Sequence, residues 1–257
     1  MSWSAQSPNH PAPAAPVETM IWAIARMLEG LGHVAVGARS PIPGSAAHLA
    51  RARSGGRLRL SILGSRQHSS FTDGARELFD CAGQGRIDAF FLSGGQIDGS
   101  ANINLVGVGD IAQYPQAHAR FPGSFGSAYL YFVVPRVILF HPEHTPRTLV
   151  RKVDFISAPG TSPAGVYRPG GPHALVTGKC VFEFDRPRGR FRLASAHAGF
   201  SREDVRAATG FDYDEPADLP QTPVPDAQTL ALLRGDIART VADTYPAFAA
   251  ATWGVGR

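Results

Sequence analysis

Cysteine and lysine are the scarcest charged or reactive residues of this 257-residue sequence, with two of each. Cys81 and Cys180 stand far apart, and neither belongs to a CxxC pair. The sequence therefore predicts buried free thiols, and neither a disulfide framework nor a thiolate metal site. Since Lys152 and Lys179 are the only lysines, arginine carries nearly all of the positive charge, and it is scattered along the chain. A net charge of +4 without a basic stripe and interleaved aromatics predicts no nucleic-acid partner.

Long apolar runs are also missing from the sequence. No stretch is long enough to span a bilayer, so we expect no membrane partner. Residues 1–16 lack the basic start and apolar core of a signal peptide, and we expect a disordered leader there. These features favour a cytoplasmic location. Neither GxGxxG nor GxxxxGK[ST] occurs in the context that a dinucleotide or P-loop site requires.

What the sequence does contain is a regular alternation of short apolar strands and helical patterns. Hydrophobic residues make up 44% of it, enough for a sizeable core. The strands HVAVGA, LRLSIL and IDAFFLSG are separated by helical stretches, one of which begins at Thr72 or Asp73 and runs through GARELFDCAG. This order predicts an α/β fold, an open, mostly parallel sheet with helices on both faces. We expect one domain over residues 17–245 and a C-terminal tail over residues 246–257.

The second half of the chain has less regular patterns. YLYFVV is typical of a strand, ALVTGKCVFEFD of a hairpin, and RFRLASAH of a further strand. SREDVRAATG predicts a helix capped by Ser201, and a last helix is expected over residues 226–245. His141 and His144 form an H-x-x-H pair, but Pro142 and Pro146 exclude the helix that such a metal site needs. We therefore interpret this segment as a loop and expect no metal.

The carboxyl ends of the parallel strands are where such sheets bind ligands. The loops at residues 39–45, 64–70 and 93–104 would all open at that edge. In the second loop Ser65 follows a strand in the LGSR turn, as a nucleophile would. Gln67 stands where G-x-S-x-G has its second glycine, however, which disfavours an isolated serine hydrolase. The glycines of residues 93–110 and of PGSFGSA are compatible either with exposed amide donors or with tight turns alone.

Four segments in order carry a family resemblance: IDAFFLSGGQID–GSANIN, RFPGSFGSA, TLVRKVDFISAPG and SAHAGFSREDVRAATGFDYDEP. Together they resemble the B (beta) subunits of family I CoA-transferases, of the glutaconate CoA-transferase type. The resemblance runs from about Ile21 to Leu233. It implies a CoA-transferase-like α/β fold, a homologous A (alpha) subunit as partner, and an acyl-CoA substrate. Coenzyme A would then be part of the substrate, with no permanently bound cofactor.

The resemblance also implies site residues. The family nucleophile is a glutamate just after the second strand, a place that Gly64, or Ser65 with a one-residue shift, occupies here. No glutamate lies between Glu29 and Glu77. The matched binding positions are those of the polar wall and the glycine-rich loop, together with the arginine of the turn: Arg66, Gln96, Asn102, Gly123, Ser124, Phe125 and Gly126.

Because glycine cannot form an anhydride with an acyl group, the covalent step of the transferases is not assured in this chain. The first hypothesis is CoA transfer to or from a carboxylic acid. The alternatives are a CoA-dependent hydrolase or lyase, ring-opening or decarboxylating, that lacks the glutamate, and a non-catalytic CoA-binding partner subunit.

Overall fold

Seven strands form the main sheet. Numbered in chain order and taken from edge to edge, they are β11 (Arg190–Ala196), β10 (Cys180–Asp185), β9 (Pro172–Thr177), β8 (Arg136–His141), β3 (Ala89–Leu92), β1 (His33–Val36) and β2 (Arg59–Ile62). The structure is a computed structural model that describes residues 12–113 and 116–256, so the expected disordered leader lies largely outside the described residues. The strands β1, β2, β3, β8 and β9 run parallel, and β10 and β11 pair antiparallel at one edge. The predicted open, mostly parallel α/β sheet is confirmed.

The helices and strands of the described residues have the following bounds. The strands are β1 His33–Val36, β2 Arg59–Ile62, β3 Ala89–Leu92, β4 Gln96–Ile97, β5 Ile103–Asn104, β6 Gly107–Val108, β7 Ala119–Arg120, β8 Arg136–His141, β9 Pro172–Thr177, β10 Cys180–Asp185 and β11 Arg190–Ala196. The helices are α1 Pro16–Met27, α2 Pro41–Arg53, α3 Gly74–Gly83, α4 Ser127–Val133, α5 Arg202–Ala208, α6 Ala227–Leu232, α7 Ala238–Thr244 and α8 Pro246–Trp253. A 3₁₀ turn covers Ile111–Gln113, and a π-helical turn over Leu233–Ile237 joins α6 to α7.

Alternate side chains of the strands point into two cores, one on each face of the sheet. In β1, Val34 and Val36 join the core formed with α1, α2 and α7, while Ala35 joins the core formed with α3, α4 and α5. β3 divides in the same way, with Phe91 on the first face and Phe90 on the second. Helices therefore cover both faces, which explains why these strands are apolar at nearly every position.

Three segments differ from the sequence-based expectations. The proline-rich segment after β1 is the first turn of α2, because Pro41 and Pro43 need no amide partner there. YLYFVV, expected to be a strand, belongs to α4, in which Leu130, Tyr131 and the following Val134 face the core. The expected tail forms α8, which buries Ala249 against the first core.

Several local predictions are confirmed. β9 and β10 form the expected hairpin, and α5 begins with the expected cap, in which the Ser201 hydroxyl accepts from the amide of Asp204. Cys81 and Cys180 are free and buried. Within the described part of the chain, no helix combines the length and the apolar character needed to cross a membrane.

Candidate functional site

A cavity of about 500 Å³ opens at the carboxyl ends of β1, β2, β3 and β8. Residues 37–40 follow β1, Leu63 follows β2, and Leu92 and Ser93 lie at the end of β3. β2 and β3 flank β1 on opposite sides, so the chain reverses its direction of winding at this point. Such a switch point leaves a crevice between the two diverging loops, and the cavity occupies it.

The cavity walls are mostly apolar. They come from the strand ends, from α3 and from the segment before α4, and include Leu63, Leu78, Phe90, Leu92, Leu105 and Phe140. Polar groups are confined to Arg39 and a few serine hydroxyls. Arg39 is exposed at the rim and forms no hydrogen bond or ion pair with the described residues. The cavity thus offers an apolar interior and one free guanidinium at its mouth, and no aspartate or glutamate among the described residues lines it.

The turn after β1 is held from behind by α7 and α8. The Tyr245 hydroxyl donates to the carbonyl of Gly37 over 3.3 Å. Burial raises the pKa of Tyr245 to about 12, so the phenol keeps its proton and stays a donor at neutral pH. Gly44 packs against the same ring, and a Cβ there would lie 2.7 Å from Tyr245 Cε2. The C-terminal helices therefore fix one wall of the cavity.

The LGSR turn at the end of β2 has a structural explanation of its own. Gly64 has φ of +84°, which glycine adopts without strain, and a Cβ there would meet nothing within 4 Å. Ser65 is buried, and its hydroxyl accepts from the amide of His68 over 3.1 Å. Arg66 is exposed and without a partner among the described residues. Neither Ser65 nor Arg66 lines the cavity, although their neighbour Leu63 does.

Next to this turn lies a pair of histidines. The rings of His48 and His68 meet edge to face, with centroids 4.8 Å apart. Burial, with added repulsion from the charges of His68 and Arg51, lowers the pKa of His48 to about 4. His48 is therefore neutral at physiological pH, and its buried ring supports the turn from within α2.

The glycine-rich segment before α4 does line the cavity, through Gly123, Ser124, Phe125 and Gly126. The amide of Gly123 donates to the Leu105 carbonyl over 3.0 Å, so this amide is already engaged within the chain. The amides of Ser124, Phe125 and Gly126 have no acceptor among the described residues. They remain the unpaired donors of this segment.

Phe125 has φ of +45°, a left-handed conformation that is strained for a residue with a side chain. Its ring is 86% exposed, so it lies at the rim and does not fill the interior. The ring of Phe79, at 5.6 Å between centroids, supports it. Gly126 is required by the same packing, because a Cβ there would lie 2.1 Å from Phe79 Cζ.

Gln96 and Asn102, expected as a polar wall, do not line the cavity. The carbonyl oxygen of Gln96 accepts from the amide of Asp154 over 2.9 Å and from Asn104 Nδ2 over 2.8 Å. Asn102 donates to the carboxylate of Asp98, and its Oδ1 accepts from the amide of Gly160. Both amides are engaged in joining the β4–β5 hairpin to the loop that follows β8.

The two histidines of the H-x-x-H pair, the remaining candidate metal ligands, form hydrogen bonds within the fold. His144 bonds Thr177 and Thr209 through its two ring nitrogens, and His141 lies against the Glu143 carbonyl. Among the described residues, no group of three or more potential metal ligands comes together. His141 is the last residue of β8 and residues 142–144 are a loop, so the segment forms no helix, as predicted.

Sequence reasoning located the loops of the site but missed several residues that build it. Arg39 and Ser40 could have been found, because they directly follow a buried parallel strand. Phe79 carries no signal of this kind, since its place on α3 is that of an ordinary helix residue.

The chain belongs to the coenzyme A transferase family, whose model matches residues 18–208. It is 33% identical over 164 residues to the B subunit of the 3-oxoadipate CoA-transferase of Pseudomonas knackmussii, a match that covers 62% of this chain and 62% of that protein. It is 32% identical over 154 residues to the B subunit of the glutaconate CoA-transferase of Acidaminococcus fermentans, a match that covers 57% of this chain and 56% of that protein. The matches therefore span less than two thirds of the length of these relatives.

Among solved structures, the fold is similar to that of the decarboxylase AibA/AibB. The TM-score is 0.73 at 25% sequence identity, covering 94% of this chain and 99% of that chain. The family model and the two curated relatives confirm the predicted resemblance to family I CoA-transferase B subunits.

Proposed function

We propose that this chain is the B-type subunit of a heteromeric enzyme that acts on an acyl-CoA thioester, with CoA transfer to or from a carboxylic acid as the reaction. The family membership and the names of the two curated relatives, both B subunits of CoA-transferases, support the proposal. The observation that carries it is the cavity at the carboxyl edge, where an apolar interior adjoins three amides with no acceptor among the described residues.

These features suit the parts of an acyl-CoA. The apolar walls would take the acyl group, and the thioester oxygen would accept from the amides of Ser124, Phe125 and Gly126. Fixed amides of this kind stabilise negative charge that develops on a carbonyl oxygen, at about 3 kcal/mol per donor in comparable sites. Arg39 at the rim would bind an anionic group of the substrate, a phosphate or a carboxylate.

A hydrolase or lyase that uses the same acyl-CoA site is the second candidate. The observation that favours it is the lack of any carboxylate among the described residues of the cavity wall, with Gly64 at the end of β2. Without a carboxylate no acyl anhydride forms on this chain. In a hydrolase, a water activated by a base of the partner subunit would attack instead; in a decarboxylase, a C–C bond would break with release of CO2, and an acid would protonate the remaining carbon. The decarboxylase AibA/AibB has a similar fold and is itself a lyase, which supports this second candidate.

An A-type subunit is the partner that we propose. Several large apolar side chains are exposed, which a partner surface would cover. Two of them, Phe125 and Tyr129, lie at or beside the cavity mouth, and the others are Phe155, Ile156, Val166, Tyr167 and Val224. An active site between the two chains would place groups of the partner against the rim.

The test is co-purification with the A-type subunit, followed by an acyl-CoA panel read by mass spectrometry with and without acceptor carboxylates. Acceptor-dependent exchange of CoA supports the transferase, acceptor-independent loss of the acyl-CoA supports the hydrolase or lyase, and binding without turnover indicates a non-catalytic subunit. Ser93→Phe should abolish activity on bulky acyl groups by narrowing the cavity. Ser69→Phe, at an exposed serine outside the cavity, is the matched control. Equal activity of the two variants would contradict the assignment of the cavity.

A further inference from the structure

A second pocket, of about 210 Å³, lies at the amino end of β9, the sheet edge opposite to the acyl-CoA cavity. Its walls come from residues 160–162, from the segment leading into β9, and from the end of β10. Phe184 and Pro172 contribute apolar surface, while Arg168 and Arg186 supply two guanidinium groups. The pocket thus combines a small volume with two positive charges.

Neither guanidinium has a carboxylate partner among the described residues. Arg168 donates from Nε to the Gly170 carbonyl over 3.1 Å and from Nη2 to the Tyr131 carbonyl over 3.0 Å. Arg186 donates from Nε to the Pro172 carbonyl over 3.1 Å and from Nη2 to the Gly171 carbonyl over 3.0 Å. Arg186 Nη2 also donates to the Pro135 carbonyl, and the Arg168 guanidinium lies 5.2 and 5.6 Å from the ring centroids of Tyr131 and Phe132. None of these groups is an anion, so neither guanidinium has an ion-pair partner among the described residues. Burial, together with the charge of Arg186, lowers the pKa of Arg168.

Other arginines close to the pocket do have carboxylate partners. Arg188 and Arg190 both pair with Asp214, and Arg192 pairs with Glu183. Asp214 and Glu183 are thus paired with the arginines of β11 and of the turn before it, and Asp185 accepts from the backbone amide of Arg188. The two pocket arginines are left without a carboxylate partner in the described chain.

The pocket still has unused donors. Arg186 Nη1 has no acceptor among the described residues, and Arg168 Nη1 lies 3.5 Å from Ser162 Oγ, the limit of a hydrogen bond. The hydroxyl of Thr161 is likewise without a hydrogen bond in the described chain, beside the same rim. Guanidinium forks and hydroxyls are the groups that bind phosphate and carboxylate oxygens. The volume admits one such group but not a nucleotide.

We propose that this pocket binds one small oxyanion, a phosphate or a carboxylate, between Arg168 and Arg186. The oxyanion comes either from solution or from an acidic side chain of a partner subunit, and the chemistry of recognition is the same. The proposal is independent of the acyl-CoA site.

The test is isothermal titration calorimetry with inorganic phosphate at constant ionic strength. The full-length protein is used in the oligomeric form in which it purifies. One saturable site is expected for the unchanged protein. Arg186→Gln should weaken binding at least tenfold, and Arg188→Gln, an exposed neighbour already paired with Asp214, should leave it unchanged. Thr161 lines the pocket and its hydroxyl forms no hydrogen bond with the backbone of the described residues, so Thr161→Val should leave the fold intact. This variant should weaken phosphate binding severalfold, and it therefore tests the pocket even if Arg186→Gln disturbs the fold.

Two other outcomes distinguish the source of the anion and decide the proposal. In the first outcome phosphate does not bind, but Arg186→Gln or Thr161→Val weakens subunit association while Arg188→Gln does not. A carboxylate of the partner subunit then occupies the pocket. If phosphate does not bind and subunit association is unchanged in these variants, the proposal is wrong.

Discussion

Replacing Arg234 by methionine tests how the two ends of the chain are joined. The π-helical turn between α6 and α7 places Arg234 against Glu18 of α1, with 2.8 Å from Nε to Oε1 and 2.7 Å from Nη2 to Oε2. The carboxylate also accepts from the amide of Ala15 over 2.8 Å and from Trp253 Nε1 of α8 over 3.2 Å. One buried carboxylate therefore connects α1, the π-helical turn and α8.

The expected loss in the free energy of unfolding follows from the burial of the ion pair. The side chain of Glu18 is 2% exposed and that of Arg234 is 29% exposed. Loss of one partner of a buried ion pair costs about 3–5 kcal/mol. Two donors to Glu18 remain and Arg234 is partly solvated, so we expect about 3 kcal/mol. At roughly 2–4 °C per kcal/mol for a chain of this size, the melting temperature should fall by about 6–12 °C.

The pKa of Glu18 determines how the contribution of this ion pair to stability changes with pH. Burial alone raises the pKa of Glu18, but the hydrogen bonds from Arg234, Ala15 and Trp253 outweigh it and hold the pKa below the usual 4.5. The ion pair therefore stabilises the fold above pH 4.5, and this contribution is lost as the pH falls through the lower folded-state pKa. The difference between Arg234→Met and the unchanged protein should shrink in that acidic range.

Thermal unfolding followed by circular dichroism measures the effect, with the double variant Glu18→Met, Arg234→Met as control. Because the double variant leaves no unpaired buried charge, it should be more stable than Arg234→Met alone. A double variant less stable than the single one, or a single variant with unchanged melting temperature, would refute the reasoning.

Three further predictions concern the site and its surroundings. With acyl-CoA bound, borohydride or hydroxylamine trapping should leave residues 60–66 unmodified, and an adduct on Ser65 found by mass spectrometry would contradict the assignment of that turn. Arg39→Gln should weaken acyl-CoA binding by about 1 kcal/mol, roughly fivefold and less at high salt, while Arg26→Gln on α1 should not, as measured by titration calorimetry. His48 should titrate near pH 4 by NMR, and because its buried neutral form is favoured, stability should fall as the pH drops from about 6.5 to 4; His48→Gln should flatten that decline.

Much of the fold could be predicted because its signals are local. The strands of the parallel sheet are apolar on both faces, and the Ser201 cap is a pattern of four residues. The segments that were predicted wrongly depend on tertiary contacts. Residues 127–133 form a helix because Leu130 and Tyr131 pack on the second core, although the β-branched and aromatic side chains of the segment favour a strand.

The site could be predicted only to the level of loops. Because parallel sheets bind ligands at the carboxyl ends of their strands, a cavity beside Ser93 and the residues after β1 could be expected. Which backbone amides stay unpaired, however, depends on hydrogen bonds between distant segments. Gly123 shows this, since its amide is taken by Leu105. Gln96 has a polar side chain suited to a ligand, yet Asp154 and Asn104 engage it, and neither partner could be identified from spacing.

The proposed acyl-CoA site is tested most directly by a crystal structure of the co-purified complex with a non-hydrolysable ketone analogue of an acyl-CoA, in which a methylene replaces the thioester sulfur and the carbonyl is kept. We expect the acyl group to lie in the apolar cavity between Leu63, Phe90 and Leu105, with its carbonyl oxygen within hydrogen-bond distance of the amides of Phe125 or Gly126. An analogue bound elsewhere on the complex, with this cavity vacant, would contradict it.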